Sequence, residues 1–249
     1  TNRGVPNAAA GILVDEEYGA GVARSAKAAG TTLAVPVERS GQAEFEFEYG
    51  DDFGAHIEAF EPTFAKVLVR YNPDGEAALN RRQTERLARL SDWLLHRDQR
   101  FLFELLVPAT TAQLEAAGGD QRRYDREARP DLVVRTIGEL QDGSVEPDIW
   151  KIEGLDTEEA CARVVAAARR GGRGHVQCIV LGRGADEGQV LQWLKIAAGV
   201  EGFDGFAVGR TIWEGPLRAF VGGTLSRQDA ATAIADHYVE TTNGFIGPR

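Results

Sequence analysis

Apolar, β-branched and aromatic residues recur along the chain in short continuous runs rather than in alternation with polar ones. Seven runs have strand length: Gly11–Glu16, Thr32–Glu38, Ala65–Tyr71, Phe101–Val107, Ile149–Glu153, Val176–Leu181 and Gly205–Gly209. A strand covered on both faces reads in this way, whereas a half-solvated strand alternates. Between them lie stretches rich in Ala, Arg, Glu and Leu with helical period: Ala20–Ala29, Ala77–His96, Arg129–Gln141, Thr157–Arg170, Gly188–Ala198 and Arg227–Thr241. Gly30, Gly143 and Gly171-Gly172 supply stops, and Asp156 with Glu159 reads as a helix entrance.

Buried strands separated by crossover helices call for a parallel sheet. Strand ends recur at about thirty residues, the length of one unit of an eight-unit barrel. A doubly wound sheet would carry an early glycine-rich phosphate turn. Here Gly182-Arg183-Gly184 comes late and lacks the dinucleotide spacing. The expected fold is α/β, a TIM (β/α)8 barrel, with residues 1–249 forming one domain. Seven runs leave that barrel one strand short. The chain contains no methionine, and the first strand is expected upstream of residue 1; the alternative is that residues 1–10 or a loop supply an irregular eighth wall.

Charge and composition narrow the function. A formal net charge of −10 argues against nucleic acid or an acidic lipid surface as partner. No run of eighteen apolar residues is present, so no membrane span is expected. Two cysteines, Cys161 and Cys178, stand in no metal or redox spacing, which fits a reduced, cytoplasmic setting. His56, His96, His175 and His237 are scattered, so neither a metal centre nor a cofactor is expected. Glu44–Tyr49 alternates acids with aromatics and reads as an edge strand or a lid segment.

Lysine is the informative residue. Of 28 basic residues only four are lysine: Lys27, Lys66, Lys151 and Lys195. Arginine stays protonated, whereas a lysine amine can lose its proton and attack a carbonyl. Lys27 and Lys195 fall on expected helices and read as solvated. Lys66 and Lys151 fall inside expected strands, Lys66 on one face with Leu68 and Arg70, Lys151 on one face with Glu153. Glu104 is a lone carboxylate among Phe101, Leu102, Phe103, Leu105 and Leu106, a costly place unless it is paired or functional. A strand-borne lysine near carboxylates inside a barrel is suited to Schiff-base chemistry. A buried Lys–Glu pair that only neutralises the barrel floor is the alternative. Asp15, Glu38 and Arg210 close apolar strands, and Gly182, Gly184 and Arg210 follow the last two strands, where such barrels often hold phosphate.

These motifs resemble a family. Asp148-Ile149-Trp150-Lys151-Ile152-Glu153-Gly154, Gly205-Phe206-Ala207-Val208-Gly209-Arg210-Thr211, Gly11-Ile12-Leu13-Val14-Asp15 and Lys66-Val67-Leu68-Val69-Arg70-Tyr71-Asn72-Pro73 are similar to the class I aldolase-like barrels. Within that group the aldolase for 5-dehydro-2-deoxygluconate 6-phosphate in inositol catabolism matches best, with the tagatose-bisphosphate and sulfofructose-phosphate aldolases as wider relatives. The resemblance implies a phosphorylated keto-sugar substrate, Lys151 as Schiff-base lysine, Lys66 as second active-site lysine and Glu104 as the strand carboxylate near it. Gly182, Gly184 and Arg210 are implied to hold phosphate, with Asp15 and Glu38 as further substrate contacts. Fused relatives make an upstream sugar-kinase domain a candidate partner; a homo-oligomer is a further candidate, on which the sequence says little. The tagatose-bisphosphate enzyme has serine where this chain has Gly182, and nothing here matches the family's first-strand aspartate motif.

Overall fold

The computed structural model describes residues 4–182 and 186–246. Its strands are β1 (Gly11–Leu13), β2 (Thr32–Pro36), β3 (Phe64–Arg70), β4 (Arg100–Leu106), β5 (Ile149–Glu153), β6 (Gln177–Leu181) and β7 (Phe203–Ala207). Every pairing is parallel, and spatial order equals chain order from β1 to β7. The order never reverses, as a doubly wound sheet requires. Among the described residues β1 and β7 are edges, so the sheet is a curled part-barrel with seven of the eight strands that closure takes.

Helices fill the connections: α1 (Glu16–Ala28), α2 (Phe53–Phe60), α3 (Ala77–Leu95), α4 (Thr111–Ala116), α5 (Gln121–Glu127), α6 (Arg129–Asp142), α7 (Glu158–Ala168), α8 (Glu187–Ala198), α9 (Arg210–Val221) and α10 (Arg227–Ile246). None of the described helices is long and apolar enough to cross a membrane. Four helices have no counterpart in the sequence reading. α2, α4 and α5 are too short to show a period, and α9 is punctuated by Gly215 and Pro216. The first strand stops at Leu13 because Asp15 caps α1, accepting the Tyr18 N–H at 2.7 Å.

Strand alternation sorts the side chains into two cores. Ala65, Val67, Val69, Phe101, Phe103, Leu105, Trp150, Ile152, Cys178 and Val180 face outward and meet Leu87, Leu90 and Leu94 of α3 and Val133, Ile137 and Leu140 of α6. The opposite parity points inward. Ala34, Phe64 and Leu102, with Ile149 and Ile179, make a separate small apolar floor contributed by five strands. Only a curled sheet lets residues from β2 and β6 share such a cluster. Polar residues occupy the next inward layer, above that floor.

Two local expectations change. Glu44–Tyr49 is neither strand nor free lid: Phe45 and Phe47 are buried in the main core, and Glu44 pairs with Arg82 and Arg86. One antiparallel bridge, Glu38 to Phe47, closes the segment on β2. At α7 the cap is Thr157, which accepts the Ala160 N–H at 3.1 Å, while Asp156 accepts the Trp193 indole N–H at 2.7 Å. The indole lies flat against Gly154, where an added Cβ would sit 2.0 Å from Trp193 Cδ2. Trp193 is wedged between Asp156 and the end of β5, so it cannot retreat. Gly154→Ala is expected to destabilise the fold by about 1–3 kcal/mol through overpacking. Urea unfolding checks this, and an unchanged midpoint would contradict the packing described.

Candidate active site

The polar inward layer is built from three neighbouring strands and one loop. The ladders pair Leu68 with Glu104 and Glu104 with Lys151, so the carboxylate of β4 and the amine of β5 stand side by side. Lys66 starts one inward residue earlier than Leu68 on β3, and its stem reaches up to the same level. Glu38 arrives from two residues beyond β2. Lys66 Nζ lies 2.5 Å from Glu38 Oε1 and 3.1 Å from Glu104 Oε2, and Lys151 Nζ lies 3.0 Å from that same Glu104 Oε2. The result is an unbroken sequence of acid, base, acid, base, with every side chain less than a tenth exposed.

Position in that sequence sets the protonation. Burial pushes the Lys151 amine below the ordinary lysine value; Glu104 opposes the fall and the positive charge of Lys66 deepens it. Burial also pulls on Lys66, but Glu38 and Glu104 together outweigh it and hold that amine above the ordinary value. Desolvation acts against the Glu104 carboxylate, yet the two lysines keep it below the usual range. Glu38 is raised by burial, which Lys66 only partly offsets, and its Oε2 is buried without a hydrogen-bond partner. Lys66 is thus the ammonium of the pair and Lys151 the amine that gives up its proton more readily.

The other expected residues divide. Gly182, at the end of β6, packs against β7: a Cβ there would lie 3.1 Å from Val208 Cγ1, so the two strand ends approach closely. Arg210 opens α9 just past β7, is exposed, and makes no hydrogen bond or ion pair with the described residues. Gly184 lies outside the described residues. Asp15 is exposed at the β1 edge and engaged as a helix cap, apart from the lysines. Both cysteine thiols are pushed up to about 12 by burial, so neither serves as a nucleophile near neutrality. Among the described residues no three His, Cys, Asp or Glu side chains converge as a metal site.

One organising residue escaped the sequence. Arg129, at the start of α6, is fully buried and grips the end of the strand that carries Lys151. It donates to the Glu153 carbonyl at 3.3 Å and the Gly154 carbonyl at 2.7 Å, and stands 3.9 Å from Glu153 Oε2. Glu153 also accepts the Val107 N–H at 3.1 Å, tying β5 to the end of β4. An Arg-Pro dipeptide opening a helix looks ordinary in sequence, and only the barrel end shows what it holds.

Residues 1–245 match the profile of a family described as "Uncharacterized protein conserved in bacteria (DUF2090)". The chain belongs to this family. No curated protein matches the sequence. Among solved structures, this DUF2090 chain is similar to a fructose-bisphosphate aldolase from Plasmodium falciparum, solved with TRAP and a small-molecule inhibitor. The two share 13% identity with a TM-score of 0.65, over 94% of this chain and 75% of that one. A Schiff-base-forming fructose-1,6-bisphosphate aldolase, studied through its reaction intermediates, aligns at 16% identity with a TM-score of 0.57, over 92% of this chain and 77% of that one. The DUF2090 chain therefore has the class I aldolase type of fold.

Breaking the shared carboxylate isolates buried positive charge. Glu104→Leu is expected to lower stability by about 3–5 kcal/mol at pH 6. The sign follows from linkage: without Glu104 the folded-state value of Lys151 falls further below its unfolded value, so the unfolded chain binds more protons and stability recovers as pH rises. Urea titrations at pH 6 and pH 10 check this, and an equal loss at both would contradict it.

Proposed function

We propose that the protein is a class I, Schiff-base aldolase acting on a phosphorylated keto-sugar in the cytoplasm. The proposed substrate is 5-dehydro-2-deoxy-D-gluconate 6-phosphate, split to dihydroxyacetone phosphate and malonate semialdehyde. The observation that carries this reading is the buried Lys151 amine, kept below the ordinary lysine value while sharing the Glu104 oxygen with the Lys66 ammonium. The aldolase type of fold supports it.

In this mechanism neutral Lys151 Nζ adds to the ketone carbon, forming the carbon–nitrogen bond. Glu104, touching both amines, takes the proton that leaves nitrogen and returns one to the carbinolamine hydroxyl, which departs as water. The iminium then accepts the electron pair of the carbon–carbon bond one position further along. As that bond breaks, the neighbouring hydroxyl gives its proton to the Glu104 carboxylate and becomes the aldehyde, which leaves. Glu104 returns that proton to the enamine carbon, and water hydrolyses the iminium to release the ketone product and restore the amine. Lys66 stays cationic throughout, holding Lys151 neutral and bonding substrate oxygens. Gly182 and Gly184 with Arg210 anchor the phosphate, whose binding positions the reacting carbons.

Incubation with dihydroxyacetone phosphate and borohydride is expected to fix one adduct, on Lys151, by peptide mass. Lys151→Arg is expected to lose at least about 10³-fold in cleavage rate, since arginine cannot be the nucleophile. A panel including tagatose 1,6-bisphosphate and sulfofructose 1-phosphate checks the substrate. Absence of the adduct, or a Lys151→Arg protein with undiminished cleavage, would contradict the proposal.

A further inference from the structure

We infer that Arg70 and Gln42 form a subsite for a carboxylate at the end of the substrate remote from its phosphate; the inference rests on the aldolase reading above. Arg70 closes β3 with inward parity, since Ala65, Val67 and Val69 belong to the outer core. In register, Leu68 stands beside Glu104 and Lys151, and Arg70 beside Leu106. Arg70 therefore lies one inward layer beyond the Lys151 level, toward the carboxyl ends of the strands, about 6.6 Å along the strand. A carboxylate separated from the reacting ketone carbon by four carbon–carbon bonds of about 1.5 Å sits roughly 5 Å away, of the order of that axial step, while the lateral offset of two strands, about 10 Å, is left to the long Arg70 and Lys151 side chains to span.

The chemistry of the two side chains points to an anion. Arg70 is half-buried, yet it has no acidic partner among the described residues. The equally half-buried Arg86 and Arg173 each meet a carboxylate, on Glu44 and Glu146. One Arg70 nitrogen donates to the Gln42 carbonyl at 2.7 Å, which leaves the rest of the fork uncommitted. Gln42 is the second, independent observation. Its Oε1 accepts the Glu46 N–H at 2.5 Å, which fixes the amide orientation, and its Nε2 is then a buried donor with no partner. A buried donor without a partner is costly, so a cation without an acidic partner among the described residues and an orphaned N–H on the same loop contact favour an acceptor-only ligand. A planar carboxylate suits the guanidinium fork. Glu38 is engaged by Lys66 at 2.5 Å rather than by Arg70. The loop from 39 to 46 is closed at its base by the Arg39 N–H to Glu46 carbonyl bond at 2.9 Å, so the subsite is preformed.

The condensation direction tests this. Dihydroxyacetone phosphate is supplied with malonate semialdehyde, with uncharged D-glyceraldehyde or with D-glyceraldehyde 3-phosphate as acceptor. Arg70→Gln is expected to raise KM for malonate semialdehyde at least tenfold relative to D-glyceraldehyde, with Arg70→Lys restoring part of the preference and Gln42→Leu losing a smaller part. Equal losses for the two acceptors, or a wild-type preference for the phosphorylated acceptor, would overturn the assignment. Binding of 3-hydroxypropionate, followed by NMR, separates the two readings. Arg70-dependent binding without any borohydride adduct at Lys151 would sink the aldolase reading and keep the subsite; an adduct with Arg70-independent binding would do the reverse.

Discussion

Two ammonium groups and a single shared carboxylate oxygen cannot all be charged at equal cost in a dry interior, and the site is organised by that inequality. Lys66 has two acids and Lys151 has one, so the proton is held by Lys66 and released more easily by Lys151. Glu38 creates the asymmetry. Without it the two lysines would compete evenly for Glu104, and neither would be marked as the nucleophile. Charge inside a protein is expensive enough that a difference of one partner decides which group stays ionised.

The fold serves this arrangement by placing a polar layer on an apolar floor. Ala34, Phe64 and Leu102, with Ile149 and Ile179 packed against them, form an apolar layer on the amino-terminal side of the lysines. Outside, the continuous core between strands and helices fixes the strand register that sets Glu104 beside Lys151. Arg129 and Trp193 then pin the stretch just after Lys151, one through the Glu153 and Gly154 carbonyls and the other by packing on Gly154. Rigid support of this kind keeps the Lys151 amine within hydrogen-bond reach of Glu104.

Strand identity and the two buried lysines were legible in the sequence for a physical reason: parallel strands buried on both faces write themselves as unbroken apolar runs, and a lysine inside one has nowhere innocuous to go. Lys66, Glu104 and Lys151 stood out on that ground alone. Glu38 was visible only as an acid closing a strand, and its attachment to Lys66 depends on a barrel curvature that periodicity does not encode. Asp15 looked equivalent to it, yet helix capping claims Asp15. Arg129, Gln42 and the Thr157 cap were illegible because each acts through backbone groups brought near by the fold. The short helices α2, α4 and α5 escaped because fewer than three turns leave no period to read.

The most direct test is the charge state of Lys151 itself, read by nitrogen NMR of protein labelled with ¹⁵N at its four lysine side chains. On raising the pH from 6, the Lys151 nitrogen is expected to become a neutral amine below the ordinary lysine value, and Lys66 only above it. A Lys151 nitrogen that titrates at or above the ordinary lysine value, or together with Lys66, would contradict the account.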